Sequence, residues 1–108
     1  MPADVRSSPS IPLVVAADHP ALPGHFPGNP VVPGVVLLER IVAGAEHWLG
    51  HPVSVAGLPQ VKFVAPLRPG ETAALTLALS AQALSYTVTR ADALISRGTL
   101  QLRSAPAP

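Results

Sequence analysis

The sequence predicts an α+β fold: a short strand, a long loop, one buried helix, then three or four antiparallel strands curled around that helix. Two observations carry this reading. In the second half of the chain apolar residues recur at every second position, the period of a strand. In the first half a single apolar stretch has helix punctuation at both ends.

Taken in order, Met1 to Ser10 is polar and has nothing to bury. It is expected to be a flexible tail, as are residues 104–108. Ile11 to Ala16 is a short apolar run that reads as a strand. His19 to Gly34 is dense in Pro and Gly and can be neither a regular helix nor a central strand. A connection of that length inside a compact domain is more often functional than idle. Pro33 suits the first turn of a helix, where its missing N–H costs nothing. Gly50 stands where a left-handed C-terminal cap is wanted and Pro52 prevents continuation. The helix therefore runs from about Pro33 to Leu49. Its apolar residues cover most of the circumference, so it is expected to be buried. Glu39, Ala43 and Glu46 fall in one narrow sector, with Arg40 and His47 beside it.

Downstream, Val61, Phe63 and Ala65 share one strand face, and Ala73, Leu75, Leu77 and Leu79 another after the Pro69-Gly70 turn. Leu84, Tyr86 and Val88 alternate with Ser85, Thr87 and Thr89, and Leu100 and Leu102 with Gln101 and Arg103. Gly98 is expected to mark a bulge. One domain over residues 11–103 accounts for all of these elements.

Hydrophobic residues make up 48% of the chain and charged residues only 12%, against about a quarter charged in an average domain. Such a surface is expected to be partly buried in an oligomer. The net charge is +1, with the basic residues scattered, including Lys62, Arg68 and Arg97. There is neither a basic stripe nor an aromatic platform for nucleic acid. The chain has no Cys, which excludes a disulfide framework and a thiolate nucleophile and fits a cytoplasmic protein. Met1 to Ser10 lacks the apolar stretch of a secretion signal. Val31 to Leu49 carries Pro33, Gly34, Glu39, Arg40 and Glu46, which a lipid-facing helix would not. His19, His47 and His51 are irregularly spaced and read as surface or structural residues, so no metal or other cofactor is expected.

The loop and helix start read Gly24-His25-Phe26-Pro27-Gly28-Asn29-Pro30-Val31-Val32-Pro33-Gly34-Val35-Val36-Leu37-Leu38-Glu39. This closely resembles the signature of the β-hydroxyacyl-acyl carrier protein dehydratases of the FabZ/FabA type: GHFPG, a short spacer, PG, an apolar run, then an acid. The segment from Val61 to Glu71 is similar to the family's strand-turn stretch after the helix. The resemblance implies a hot-dog fold, with a curved antiparallel sheet wrapped around a long central helix. It also implies a homodimer or higher homo-oligomer whose active sites take His from one subunit and the acid from the other, and a substrate carried on acyl carrier protein.

The reaction implied removes a proton from C2 of a 3-hydroxyacyl thioester and expels hydroxide from C3. His25 is suited to be the base, since imidazole titrates near neutrality. Glu39 would donate to, or orient, the departing hydroxyl, and an apolar setting would suit that role. The amides of Gly34 or Val35 at the helix N-terminus would stabilise the thioester oxygen, and by resemblance Gly34 matches the family's donor. A missing Cβ at Gly34 would let substrate approach the backbone. Gly24, Phe26, Pro27, Gly28 and Pro33 would shape the loop.

The chain departs from the longer family members in three respects. Only a short polar tail precedes Ile11; Ala43 stands where Gln is usual four residues after the acid; and Arg40 follows the acid directly. These features resemble the short dehydratases of aryl-polyene-type pathways. Two alternatives stay open: a hot-dog thioesterase, in which the helix carboxylate activates water, and a non-catalytic acyl-binding subunit that pairs with an active partner.

Overall fold

In the computed structural model, residues 5–16 and 31–103 are described. They form one helix and six strands in the order β1 (Arg6–Ser7), β2 (Ile11–Leu13), α1 (Gly34–Leu49), β3 (Val55–Phe63), β4 (Ala73–Ser80), β5 (Ala83–Arg90) and β6 (Ala93–Leu102). The strands make a single antiparallel sheet ordered β1-β4-β5-β6-β3, with β2 also on β4. The α+β reading holds.

The sheet's backbone is the meander β4–β5–β6. Ser80 pairs with Ala83 and Arg90 with Ala93, so each connection has two residues. Ala91 and Asp92 both take positive φ, at 48° and 67°, the twist a two-residue hairpin demands. The alternation read from the sequence then sets the core. Leu75, Leu77, Leu84, Tyr86, Val88 and Leu100 are buried on one face, and Leu37, Ile41 and Ala45 of α1 pack on them. Gly44 lets the helix lie this close, since a Cβ there would meet the Leu75 side chain at 2.8 Å.

The helix ends where steric rules place them. Pro33 is the N-cap residue at φ −60° and ψ 147°, and Gly50 closes the C-terminus at φ 80°, its N–H donating to Glu46 O. The all-round burial expected of α1 is not found. Val35 is 65% exposed and Glu39 and Arg40 are exposed too, because the sheet covers only one flank.

Three further expectations are corrected. Residues 1–10 do not all lie outside the domain: Arg6 pairs with Leu79 and Ser7 with Ala78. Ser8 continues the ladder by donating its N–H to Leu77 O, while its hydroxyl accepts from Leu77 N, both at 2.8 Å. This pairing uses main-chain groups, which leave no trace in apolar spacing. Arg6 also lies 5.0 Å from the centroid of the Trp48 ring, a cation–π contact onto the end of α1. Second, the strand expected over Ile11 to Ala16 stops at Leu13, because Val15 O takes the N–H of Gly70 instead.

The third correction concerns Gly98, which is not a bulge: the β3–β6 register runs unbroken through Val61↔Gly98. Gly98 is required by close approach, since a Cβ would collide with Gln60 O and reach Val61 Cα at 2.9 Å. The register shifts of this pair lie in β3, between Val55 and Gly57 and between Gly57 and Gln60, where Pro59 has no N–H to give; against β5, β6 shifts register at Ile95, between the Val88 and Thr89 pairs. Below them, buried Ser96 bridges three strands. Its hydroxyl donates to Lys62 O at 2.7 Å and meets Tyr86 OH at 2.9 Å.

Candidate active site

The start of α1 is the electrostatic centre of the site. The first helical hydrogen bond is Leu37 N–H to Pro33 O at 3.1 Å, so the amides of Gly34, Val35 and Val36 precede the ladder. Pro33 supplies no side-chain cap and the first turn holds no acid. No described side chain therefore uses the partial positive charge of the helix end.

Glu39 lies one turn beyond Val35, which puts the two on one face, with Cβ atoms about 5–6 Å apart. Val42 and Glu46 continue that face. It looks across an apolar cleft of about 530 Å³ whose opposite wall is the irregular first half of β3, Val55 to Leu58, with Leu100 beneath. This half of β3 carries both register shifts of its pairing with β6, and Pro59 beside them. Within the single chain Glu39 is exposed, so the apolar enclosure expected for it is not supplied by its own subunit. Glu46 is not a solvated stripe residue: its Oε2 accepts the N–H of Val53 at 3.0 Å.

Gly34 is a second point of difference. The space left by its missing Cβ is taken by the Phe63 ring, whose Cζ would stand 2.8 Å from a Cβ there. Phe63, 52% exposed, thus roofs the helix start. The sequence marks Phe63 only as a strand-face residue, not as part of the site, and does not single out Val55, Gly57 or Leu58. Gly57 and Pro59 inside a strand were the signal available for the latter, since both mark irregular strands.

Of the expected site residues, Pro33, Gly34, Val35 and Glu39 are brought together around the helix start. Gly24, His25, Phe26, Pro27 and Gly28 lie outside the described residues, as do His19 and 104–108. The described residues on either side of 17–30 are held by main-chain bonds. Val15 O accepts from Gly70 N at 2.8 Å and Val32 N donates to Leu67 O at 2.7 Å. Val15 and Val36 are buried together, with Val32 packed on them. Both ends of the His25 segment are therefore held beside the first turn of α1. The stretch that holds them is itself fastened: Arg90 Nη1 bonds Glu71 Oε1 at 2.9 Å and Pro66 O at 3.0 Å, and Glu71 Oε1 accepts from Arg68 N at 2.8 Å.

Among the described residues no three His, Asp or Glu side chains converge as metal ligands, and no helix is long and apolar enough to cross a membrane.

One helix cradled by an antiparallel sheet, with a helix-borne acid over an apolar cleft, defines a hot-dog-fold protein. Comparison with solved structures agrees. The dehydratase heterocomplex ApeI:P from Xenorhabdus doucetiae superposes with a TM-score of 0.78 at 24% identity, covering 96% of this chain and 100% of that one. An uncharacterized protein from Erwinia carotovora subsp. atroseptica gives 0.72 at 30% identity, covering 93% and 90%. The model of the ApeI-like family, described as ApeI dehydratase, matches residues 4–99. The chain belongs to that family. Among curated relatives, the 3-hydroxyacyl-[acyl-carrier-protein] dehydratase FabZ of Thermomicrobium roseum is 45% identical over 65 residues, 54% of this chain and 44% of that protein. The FabZ of Chloroflexus aggregans is 40% identical over 73 residues, 61% and 51%. The chain spans about half the length of the curated relatives it matches.

Proposed function

We propose that this protein eliminates water from 3-hydroxyacyl thioesters to give trans-2-enoyl thioesters, acting as a hydro-lyase on acyl groups borne by acyl carrier protein. The observation that carries this reading is the helix start itself. The amides of Gly34 and Val35, which no described side chain caps, Glu39 one turn along, an apolar cleft below, and the anchors at Val15 and Val32 alongside occupy one corner of the fold.

In this reading the thioester oxygen accepts from the Gly34 or Val35 amide, which lowers the cost of the charge that develops when the C2 proton leaves. His25 takes that proton through a neutral imidazole nitrogen. Glu39, in its acid form, gives a proton to the C3 hydroxyl, which departs as water. The catalytic domain is taken as residues 11–103 with β1 added at its edge, and no cofactor takes part.

The reading includes a second subunit. β3 is the sheet edge, and Leu58, Phe63 and Val64 are each more than half exposed there, beside Val35. An apolar edge of this kind calls for cover. A second copy docked there would enclose Glu39, whose own chain leaves it exposed. It would also allow His25 of one protomer to serve Glu39 of its partner.

The test is mass spectrometry of 3-hydroxyacyl-carrier-protein substrates incubated with wild type, His25→Ala and Glu39→Gln. Loss of one water by the wild type alone, with the thioester intact, is expected. Release of free acid would identify a thioesterase, and an unchanged bound acyl group a non-catalytic acyl-binding subunit.

A further inference from the structure

The cleft beside Glu39 has a polar far end. Val35, Glu39, Val42 and Glu46 follow one another at spacings of four, three and four residues and all line it. Glu46 lies seven residues beyond Glu39, which on an α-helix is about 10 Å along the axis. Between the two carboxylates the helix wall is apolar, Val42 and Ala43, and facing it are Val55 and Leu58 from β3 and Leu100. Glu46 is anchored rather than free to swing aside, because its Oε2 holds the N–H of Val53 in the connection that leaves the helix. An acyl tail lying in this cleft, with its reacting carbon at Glu39, therefore meets a carboxylate at the other end.

We infer that Glu46 is a specificity residue that sets the length of acyl chain the cleft accepts. An alkyl zigzag built from bonds of about 1.5 Å advances roughly 1.3 Å per carbon, so about eight carbons beyond the reacting one span the distance between the two acids. A longer tail must press methylenes against a carboxylate and strip its water, which is strongly unfavourable unless new hydrogen bonds replace that water. The substrate class is thus acyl thioesters of short to medium length, with chains of about eleven carbons in all as the upper limit. This inference rests on the acyl-binding reading of the cleft but not on the chemistry performed at its mouth.

Pantetheine thioethers bearing straight alkyl chains contain no bond that the reaction could break, so their affinity reports on the cleft alone. Isothermal titration of wild type is expected to show affinity rising several-fold per added methylene up to about ten or eleven carbons, then levelling or falling. In Glu46→Ala the rise should continue to longer chains. Glu46→Gln retains an oxygen for the Val53 amide and guards against loss of fold in the alanine variant. It should bind the hexadecyl thioether at least about fivefold more tightly than wild type, with the octyl thioether within about twofold. Wild-type affinity that climbs unbroken to hexadecyl, or Glu46→Gln binding of both ligands that matches wild type, would overturn the inference. Water loss from a 3-hydroxyoctanoyl thioester, measured in parallel, separates the two readings. A length limit without water loss removes the dehydratase and leaves Glu46 in its role, and water loss without a length limit does the reverse.

Discussion

The Phe63 ring occupies the space that a side chain on Gly34 would need, with Cζ 2.8 Å from the position of a Cβ. The sheet edge and the helix start are thereby keyed together at the point where the thioester oxygen is proposed to bind. Gly34→Ala forces the ring aside. Since Phe63 is half exposed and Ala is the better helix former by up to about 1 kcal/mol, stability should change by less than about 1 kcal/mol in urea denaturation. The proposed activity should fall at least tenfold. Phe63→Ala in the Gly34→Ala background should recover part of it, a coupling that a double-mutant cycle measures.

Ser96 serves two partners, so removing it strands both. Ser96→Ala is expected to cost about 1–3 kcal/mol, because Tyr86 OH and Lys62 O lose a buried partner together. Tyr86→Phe should cost less, since Ser96 keeps its bond to Lys62 O. Chemical denaturation of the two variants checks the order.

Tyr86 also predicts a pH dependence. Burial raises its phenol above the ordinary 10.0, an effect the Ser96 hydrogen bond only partly offsets. The folded state thus holds the phenolic proton more tightly than the unfolded one. The associated stability is complete below pH 10.0, the unfolded value, and is lost as pH rises from there through the folded value. Tyr86→Phe should flatten this part of the stability profile. As Tyr86 is the chain's sole tyrosine, phenolate absorbance follows the same ionisation directly.

At Gly98 the two nearest neighbours, Gln60 O and Val61 Cα, are backbone and cannot rotate away. Gly98→Ala must push β3 off β6, with Val61 Cα only 2.9 Å from the new atom. A loss of about 3 kcal/mol is expected, at the upper end for overpacking, read as a lower urea midpoint.

The β5–β6 turn offers a gain. Ala91 sits at φ 48°, where an L side chain costs roughly 1–2 kcal/mol. Ala91→Gly should raise stability by up to about 1 kcal/mol, seen as an increase in Tm without change in binding.

The helix was legible to within a residue because its ends obey local steric rules: Pro33 can only begin a helix and Gly50 readily adopts the left-handed cap. The buried positions of β4 and β5, and Leu100 and Leu102 of β6, were legible because they recur at every second residue; Ile95 and Ser96, buried side by side, break that alternation where the β5–β6 register shifts. Glu39 stood out through its place after GHFPG and PG. What escaped were relations between distant parts of the chain. Nothing in Arg6-Ser7 announces a strand, since its pairing is made by main-chain atoms. The start of β3 was hidden by Gly57 and Pro59, which argue against a strand in isolation yet here fall where its register shifts. The open flank of α1 was hidden because apolarity all round a helix does not say which neighbour covers each side.

The bonds that hold Val15 and Val32 come from the main chain of Gly70 and Leu67, and main-chain groups do not depend on which residues lie between the two anchors. The frame around positions 15 and 32 is in this sense blind to side-chain identity. Both anchors beside the first turn of α1 therefore outlast any substitution that leaves the backbone of 67–70 in place.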